Sequence, residues 1–279
     1  MPYLERTGEP TIHYEYDDFT DPWKKAPVLL LQHGYSRAAS IWYQWIPYLS
    51  RYYRIVRMDL RGLGKSSTDF DLKTGMTAQH FVDDILAVID AVGGGPVHYC
   101  GESLGGILGM ILAAEHPEKL RTLTLIAAPL RISDRTKKDF SCGHASWAEA
   151  LRAMGSEKWS AAVNGLTRFP PGTDQAMMDW YAEETGKSPV DSLIRLSEIA
   201  CAVDVQSYLS RITTPTLGLY PSKGLVTVND DDVIEKSIRN IRFVRLPTAY
   251  HAIQFMMPAA CATAVLHFAS QFDGVSCHE

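Results

Sequence analysis

The segment Gly101-Glu-Ser103-Leu-Gly105, followed by Gly106, carries the most suggestive chemistry in the chain. The apolar run 95–100 before it reads as a strand, and the small-residue run 104–115 after it reads as a helix. A strand-to-helix turn this sharp strains its central residue and lifts it to the top of a sheet, while small neighbours keep the backbone from clashing. The helix N-terminus then favours negative charge at that point. Ser103 is therefore a candidate nucleophile; the plainer alternative is a tight glycine turn with a capping serine. A free hydroxyl is almost fully protonated at neutral pH and needs a base. Of nine histidines, His251 fits best, because Pro247-Thr-Ala-Tyr-His251 follows the last expected strand and lies at the same edge as Ser103. His33, His98, His267 and His278 fall on strands, strand ends, a helix and the tail; His13, His80, His116 and His144 lie elsewhere. His33-Gly34-Tyr35 follows the first buried strand, so the N–H groups of Tyr35 and Leu104 are expected to form an oxyanion hole.

These residues need a frame that brings them to one edge. Short continuous apolar runs mark strands buried on both faces at 27–32, 54–58, 95–100, 120–127, 216–220 and 241–246, and 11–19 reads as an early edge hairpin. Helical spacing recurs from Thr77 through Phe81, Ile85, Leu86, Ile89 and Val92, in 104–115, and in 258–272. Alternating strands and helices predict an α/β fold with a mostly parallel central sheet flanked by helices. Residues 132–209 break the alternation with helical segments at 146–154, 157–163, 174–184 and 190–202. The expected organisation is a core of 1–131 and 210–279 with a helical cap, 132–209, inserted between strands. That insertion begins just past a strand's C-terminal end, where open α/β sheets bind ligands.

Composition narrows the function class. The 279 residues carry 27 Lys+Arg against 32 Asp+Glu, a net charge of −5, so no basic excess exists to track nucleic acid. No apolar run reaches the roughly 18 residues of a membrane helix, and 1–19 has no apolar signal core. Five cysteines without a C-x-x-C pair read as reduced thiols of a cytoplasmic protein. The expected partner is a small-molecule substrate, with no nucleic acid or membrane, and the chain is expected as a monomer or homodimer. No metal or organic cofactor is implied.

With these pieces in place the chain resembles the α/β-hydrolase fold superfamily from about residue 10 to 272. The resemblance rests on His33-Gly34, Asp59-Leu-Arg61-Gly-Leu-Gly64-Lys-Ser66, Gly101-Glu-Ser-Leu-Gly105-Gly, Pro215-Thr-Leu and His251 before the final helix. Size and insertion resemble the 3-oxoadipate enol-lactonase and carboxylesterase groups. The resemblance implies that Asp59 and Arg61 brace a loop near the elbow rather than react. It also exposes a departure. Such enzymes usually carry the triad's acid after the strand matching 216–220, where Gly224 stands, or at the end of the preceding strand, where Ala127-Ala128 stand. Asp230, in the run Asp230-Asp-Asp232, is the first candidate to orient His251, with Asp204 and Glu102 behind it. Each of the two aspartates also reads as a helix-start carboxylate, and a Ser–His dyad remains open.

The expected reaction is hydrolysis of an ester or lactone of a small, partly apolar or aromatic substrate through an acyl-enzyme on Ser103. His33, Gly34, Trp42, Trp147 and Tyr250 are the candidate pocket residues. Arg152, Arg168 and Arg195 are possible partners of a substrate carboxylate, or solvated helix faces. The alternatives are a C–C bond hydrolase of a vinylogous diketone and a degenerate hydrolase acting as a small-ligand receptor.

Overall fold

A computed structural model describes residues 2–224, 230–275 and 277. His278, weighed above as a base, and residues 225–226 of the turn after Gly224 lie outside the described residues.

The strands are β1 (Tyr3–Arg6), β2 (Glu9–Asp17), β3 (Val28–Gln32), β4 (Arg54–Met58), β5 (Val97–Glu102), β6 (Leu120–Ile126), β7 (Thr216–Pro221) and β8 (Ile241–Leu246). They form one sheet in the order β1-β2-β4-β3-β5-β6-β7-β8. β1–β2 and β2–β4 pair antiparallel, and every pair from β4–β3 to β7–β8 is parallel. The central runs are apolar on consecutive positions because both faces are covered. Leu30 joins the helices Ala78–Ala91 and Leu104–Glu115 in one core layer, while its neighbours Leu29 and Leu31 join Trp42, Trp45 and the helix Pro258–Ala269 on the opposite face. The two-residue alternation of a strand produces that split.

Chain order places the site. β4 lies on one side of β3 and β5 on the other, so the strand order reverses at β3/β5. Loops leaving the C-terminal ends of two such strands diverge and open a crevice. His33-Gly34 leaves β3 there, and Ser103 leaves β5.

The interruption between β6 and β7 is helical. It holds Asp134–Phe140, Trp147–Val163, Gln175–Gly186 and Val190–Ala202. The expected break between 154 and 157 is a kink at Gly155 (φ 74°, ψ 167°) within one helical run. The helix Asp134–Phe140, N-capped by Ser133 Oγ, was not anticipated from the sequence. Among the described residues, no helix is long and apolar enough to cross a membrane.

Asp59 and Arg61 brace the loop after β4. Asp59 accepts from Ala39 N–H (2.6 Å) and Lys65 N–H (3.0 Å) and contacts His13 Nδ1 at 2.7 Å. Arg61 forks onto both oxygens of Asp84, at 2.7 Å each.

Candidate active site

Ser103 sits at φ 53°, ψ −115°, a backbone conformation that L-residues rarely adopt. Its N–H donates to Ile126 O (2.9 Å), and its carbonyl accepts from Gly106 and Ile107 N–H (2.9 and 3.1 Å), so the turn is tied to β6 and to the helix. Leu104 is the first residue of that helix, whose first N–H groups have no intrahelical acceptor. The elbow packs against β3 closely. A Cβ on Gly105 would lie 2.5 Å from Gln32 O, and one on Gly34 would lie 2.9 Å from Ser103 Cβ and closer still to a Glu102 oxygen. Only glycine lets the two loops approach this way.

Glu102, the last residue of β5, turns its carboxylate inward, fully buried. Oε2 accepts the Gly34 N–H at 2.9 Å. Oε1 lies 3.4 Å from His251 Nε2 and 3.9 Å from Arg168 Nη1. Burial pushes the Glu102 carboxyl up, but His251, Arg168 and Arg37 outweigh it and hold it below the ordinary value. Burial pulls His251 below the ordinary value of 6.5 against the opposing pull of Glu102. The pair is thus an ionised carboxylate beside a neutral imidazole. His251 Nδ1 is buried and has no hydrogen-bond partner among the described residues.

The His251 loop is clipped to the helical insertion: its N–H donates to Thr167 O (2.9 Å), and Ala252 N–H donates to Arg168 O (3.3 Å). Trp45 Nε1 donates to Gln254 O (2.9 Å) and holds the loop from the other side.

The structure brings together Ser103, Leu104, Gly34, Tyr35, Glu102 and His251. It places the other candidates elsewhere. Asp230 does not meet His251: it opens the helix Asp230–Ser237 and its Oδ2 accepts Leu130 N–H at 3.0 Å. Asp204 is exposed, bonded to Gln206 N–H and Arg131, both at 2.9 Å. Asp204 follows the local turn-and-helix-start chemistry of its type, whereas Asp230 reaches across to the Leu130 N–H and not to His251.

The candidate pocket residues also divide. His33 is buried with both ring nitrogens engaged: Leu60 N–H donates to Nε2 (3.1 Å), so Nδ1–H donates to Gly34 O (2.8 Å). It shapes the Gly34 turn rather than facing a ligand. Trp42 is fully buried and edge-on to Trp45 at 4.9 Å, inside the core layer. Trp147 packs on Tyr35 at 4.5 Å, and the Tyr35 hydroxyl donates to Leu193 O at 2.7 Å. Tyr250 is half-buried beside His251. Arg195 is taken up by carbonyls of 72, 73 and 76 and by Glu198. Arg37, which sequence reasoning missed, lies buried near the pair, with Nη1 and Nη2 on Thr185, Ser160 and Asn164. Nothing in its sequence context signals that burial. Among the described residues, no group of three or more His, Cys, Asp or Glu is placed to hold a metal.

The family described as alpha/beta hydrolase fold matches residues 27–169. The chain is 28% identical over 213 residues to a putative carbamate hydrolase RutD of Stutzerimonas stutzeri, covering 74% of this chain and 76% of that one. It is 25% identical over 225 residues to 3-oxoadipate enol-lactonase 1 of Acinetobacter baylyi, covering 79% and 80%. The crystal structure of the enol-lactonase from Burkholderia xenovorans superposes with a TM-score of 0.84 at 22% identity, covering 96% of this chain and all of that one, a likeness of fold.

Proposed function

The chain belongs to the alpha/beta hydrolase fold family, and from that premise we propose that it is a serine hydrolase that cleaves a carboxylic ester or lactone of a small substrate. The observation that carries this reading is the buried His251–Glu102 pair, whose carboxylate belongs to the residue immediately before a serine held in a strained strand-to-helix turn. Relatives named as a carbamate hydrolase and an enol-lactonase support hydrolysis of an acyl bond.

The steps follow from the groups present. His251 takes the proton of Ser103 Oγ as the oxygen attacks the carbonyl carbon, and Glu102 stabilises the imidazolium that forms. The imidazole meets Glu102 with one nitrogen and keeps the other, unpartnered, for the proton. The N–H groups of Leu104 and Tyr35 hold the carbonyl oxygen as it becomes negative. Collapse of the adduct expels the alcohol oxygen, which takes the proton back from His251 and leaves an ester on Ser103. Water, deprotonated by His251, then attacks that ester and releases the acid and the free serine.

The acid in this reading is Glu102, in place of Asp230. The insertion acts as the lid of the site. Its Thr167 and Arg168 carbonyls hold the His251 loop, and Trp147 and Leu193 cover Tyr35.

The test is turnover of a panel of p-nitrophenyl esters and lactones by the wild type, Ser103→Ala and His251→Ala. Turnover abolished by both substitutions supports the reading. Turnover surviving Ser103→Ala overturns it, and ligand binding without turnover in the wild type points to the receptor.

A further inference from the structure

A guanidinium carries five N–H donors and is rarely buried unless they are met. Arg168 is 2% exposed, yet its Nε and Nη1 are sealed from the surface without a hydrogen-bond acceptor among the described residues. Its nearest carboxylate oxygen, Glu102 Oε1, is 3.9 Å away, beyond hydrogen-bond reach. The other Glu102 oxygen is committed to the Gly34 N–H. Arg37 is different: its terminal nitrogens reach Thr185, Ser160 and Asn164, and it lies 3.9 Å over the Tyr181 ring.

Charge points the same way. Arg37 is pulled down to about 10, chiefly by burial, and remains a cation at neutral pH. Two guanidiniums and a neutral imidazole therefore face a single carboxylate, which leaves this buried cluster one positive charge in excess. An unpaired buried charge is costly unless a partner arrives. Other buried polar atoms without partners fall on the same segments: Ser36 Oγ, Thr167 Oγ1 and His251 Nδ1. Arg168 itself lies on the turn that clips the His251 loop.

We propose that Arg168 receives a substrate carboxylate, so that the ester or lactone cleaved here carries a free carboxylate in addition to its scissile bond. The inference rests on the hydrolase reading above and narrows it to anionic substrates. An arginine suits the task because its planar donors match a carboxylate and stay charged when dry.

Two esters of equal length separate the terms: mono-p-nitrophenyl glutarate, ending in carboxylate, and p-nitrophenyl valerate, ending in methyl. The wild type is expected to favour the glutarate in kcat/KM by at least about tenfold. Arg168→Met is expected to lower that ratio about a hundredfold, with Arg168→Lys between; the lysine variant also serves if the methionine variant does not fold. Glutarate binding to Ser103→Ala, followed by calorimetry, is expected to disappear when Arg168→Met is added. Ser103-dependent hydrolysis of both esters without preference overturns the carboxylate inference and leaves the hydrolase standing. An equal loss on both esters, with the ratio preserved, also overturns it and makes Arg168 a positioning residue for Glu102. Glutarate bound through Arg168 with no ester cleaved sustains the anion site and overturns the hydrolase. Neither cleavage nor binding overturns both.

Discussion

Glu102 keeps its charge where water does not reach: one oxygen is held by the Gly34 N–H and the other faces His251 and Arg168. If that charge stabilises the imidazolium, Glu102→Gln lowers kcat by roughly 10⁴-fold, the scale for neutralising a triad acid. The pH profile gives an independent check. The base must be neutral, so activity rises with pH through the His251 pKa, which burial places below 6.5. Glu102 is the group that pulls that pKa up, and its neutral replacement moves the acidic limb further down. A limb that stays in place or moves up, measured as kcat/KM from pH 4.5 to 8, shows that Glu102 does not act on His251. Ser103 and His251 were legible in the sequence because each sits at a strand end flagged by glycine, proline or a helix start. As a candidate read from the sequence, Glu102 stands behind Asp230, because its place beside His251 depends on which way one strand-end side chain turns. Arg37 and Arg168 were harder still, since an arginine buried over an aromatic ring has the same sequence context as one on a solvated helix.

The elbow is an element under strain, and its strain is measurable. Ser103 at φ 53° costs of order 1–3 kcal/mol in a non-glycine residue. Ser103→Gly relieves that strain and Ser103→Ala does not, although glycine also loosens the unfolded chain by up to about 1 kcal/mol. The glycine variant is therefore expected to be about 1 kcal/mol more stable than the alanine variant. Urea midpoints of the two inactive proteins check it, and equal midpoints mean that the turn stores no strain. The loop facing the elbow has the opposite sensitivity. Gly34→Ala drives a Cβ into the Glu102 carboxylate and Ser103 Cβ, so both activity and Tm are expected to fall. An unchanged kcat in Gly34→Ala means that the two loops need not approach so closely. The elements themselves were the most legible level. β4 and β8 run over the residues expected, and the helix 104–115 ends where Pro117 was expected to stop it. Two features escaped because they depend on contacts. A kink at Gly155 joins two expected segments into one run, and the seven-residue helix at Asp134 is fixed by its Ser133 cap.

At the scale of the molecule, the fold buries two histidines on loops that follow β3 and β8, and stability records it. Burial pulls both His33 and His251 below the ordinary value, so each is neutral in the fold at pH values where the unfolded chain protonates it. Between the folded values and about 6.5 the unfolded state binds more protons than the native state. The unfolding free energy therefore rises with pH across that window and falls on acidification. Two such groups set a limiting slope of about 2.7 kcal/mol per pH unit. His33 adds a structural reason, because a protonated Nε2 cannot accept the Leu60 N–H that fixes the loop. Glu102 and Asp59 are held below the ordinary carboxylate value by their partners, against burial. Their contribution is present above the unfolded carboxylate pKa and is lost as pH falls through the folded one, at more acidic pH than the histidine window. Urea unfolding at pH 8, 7, 6 and 5 measures the sum. The expected result is near-constant stability from pH 8 to 7 and a decline that begins near 6.5. A profile flat down to pH 5 means that neither histidine is held neutral by the fold, and the buried pair proposed as the catalytic base and its acid then loses its electrostatic footing.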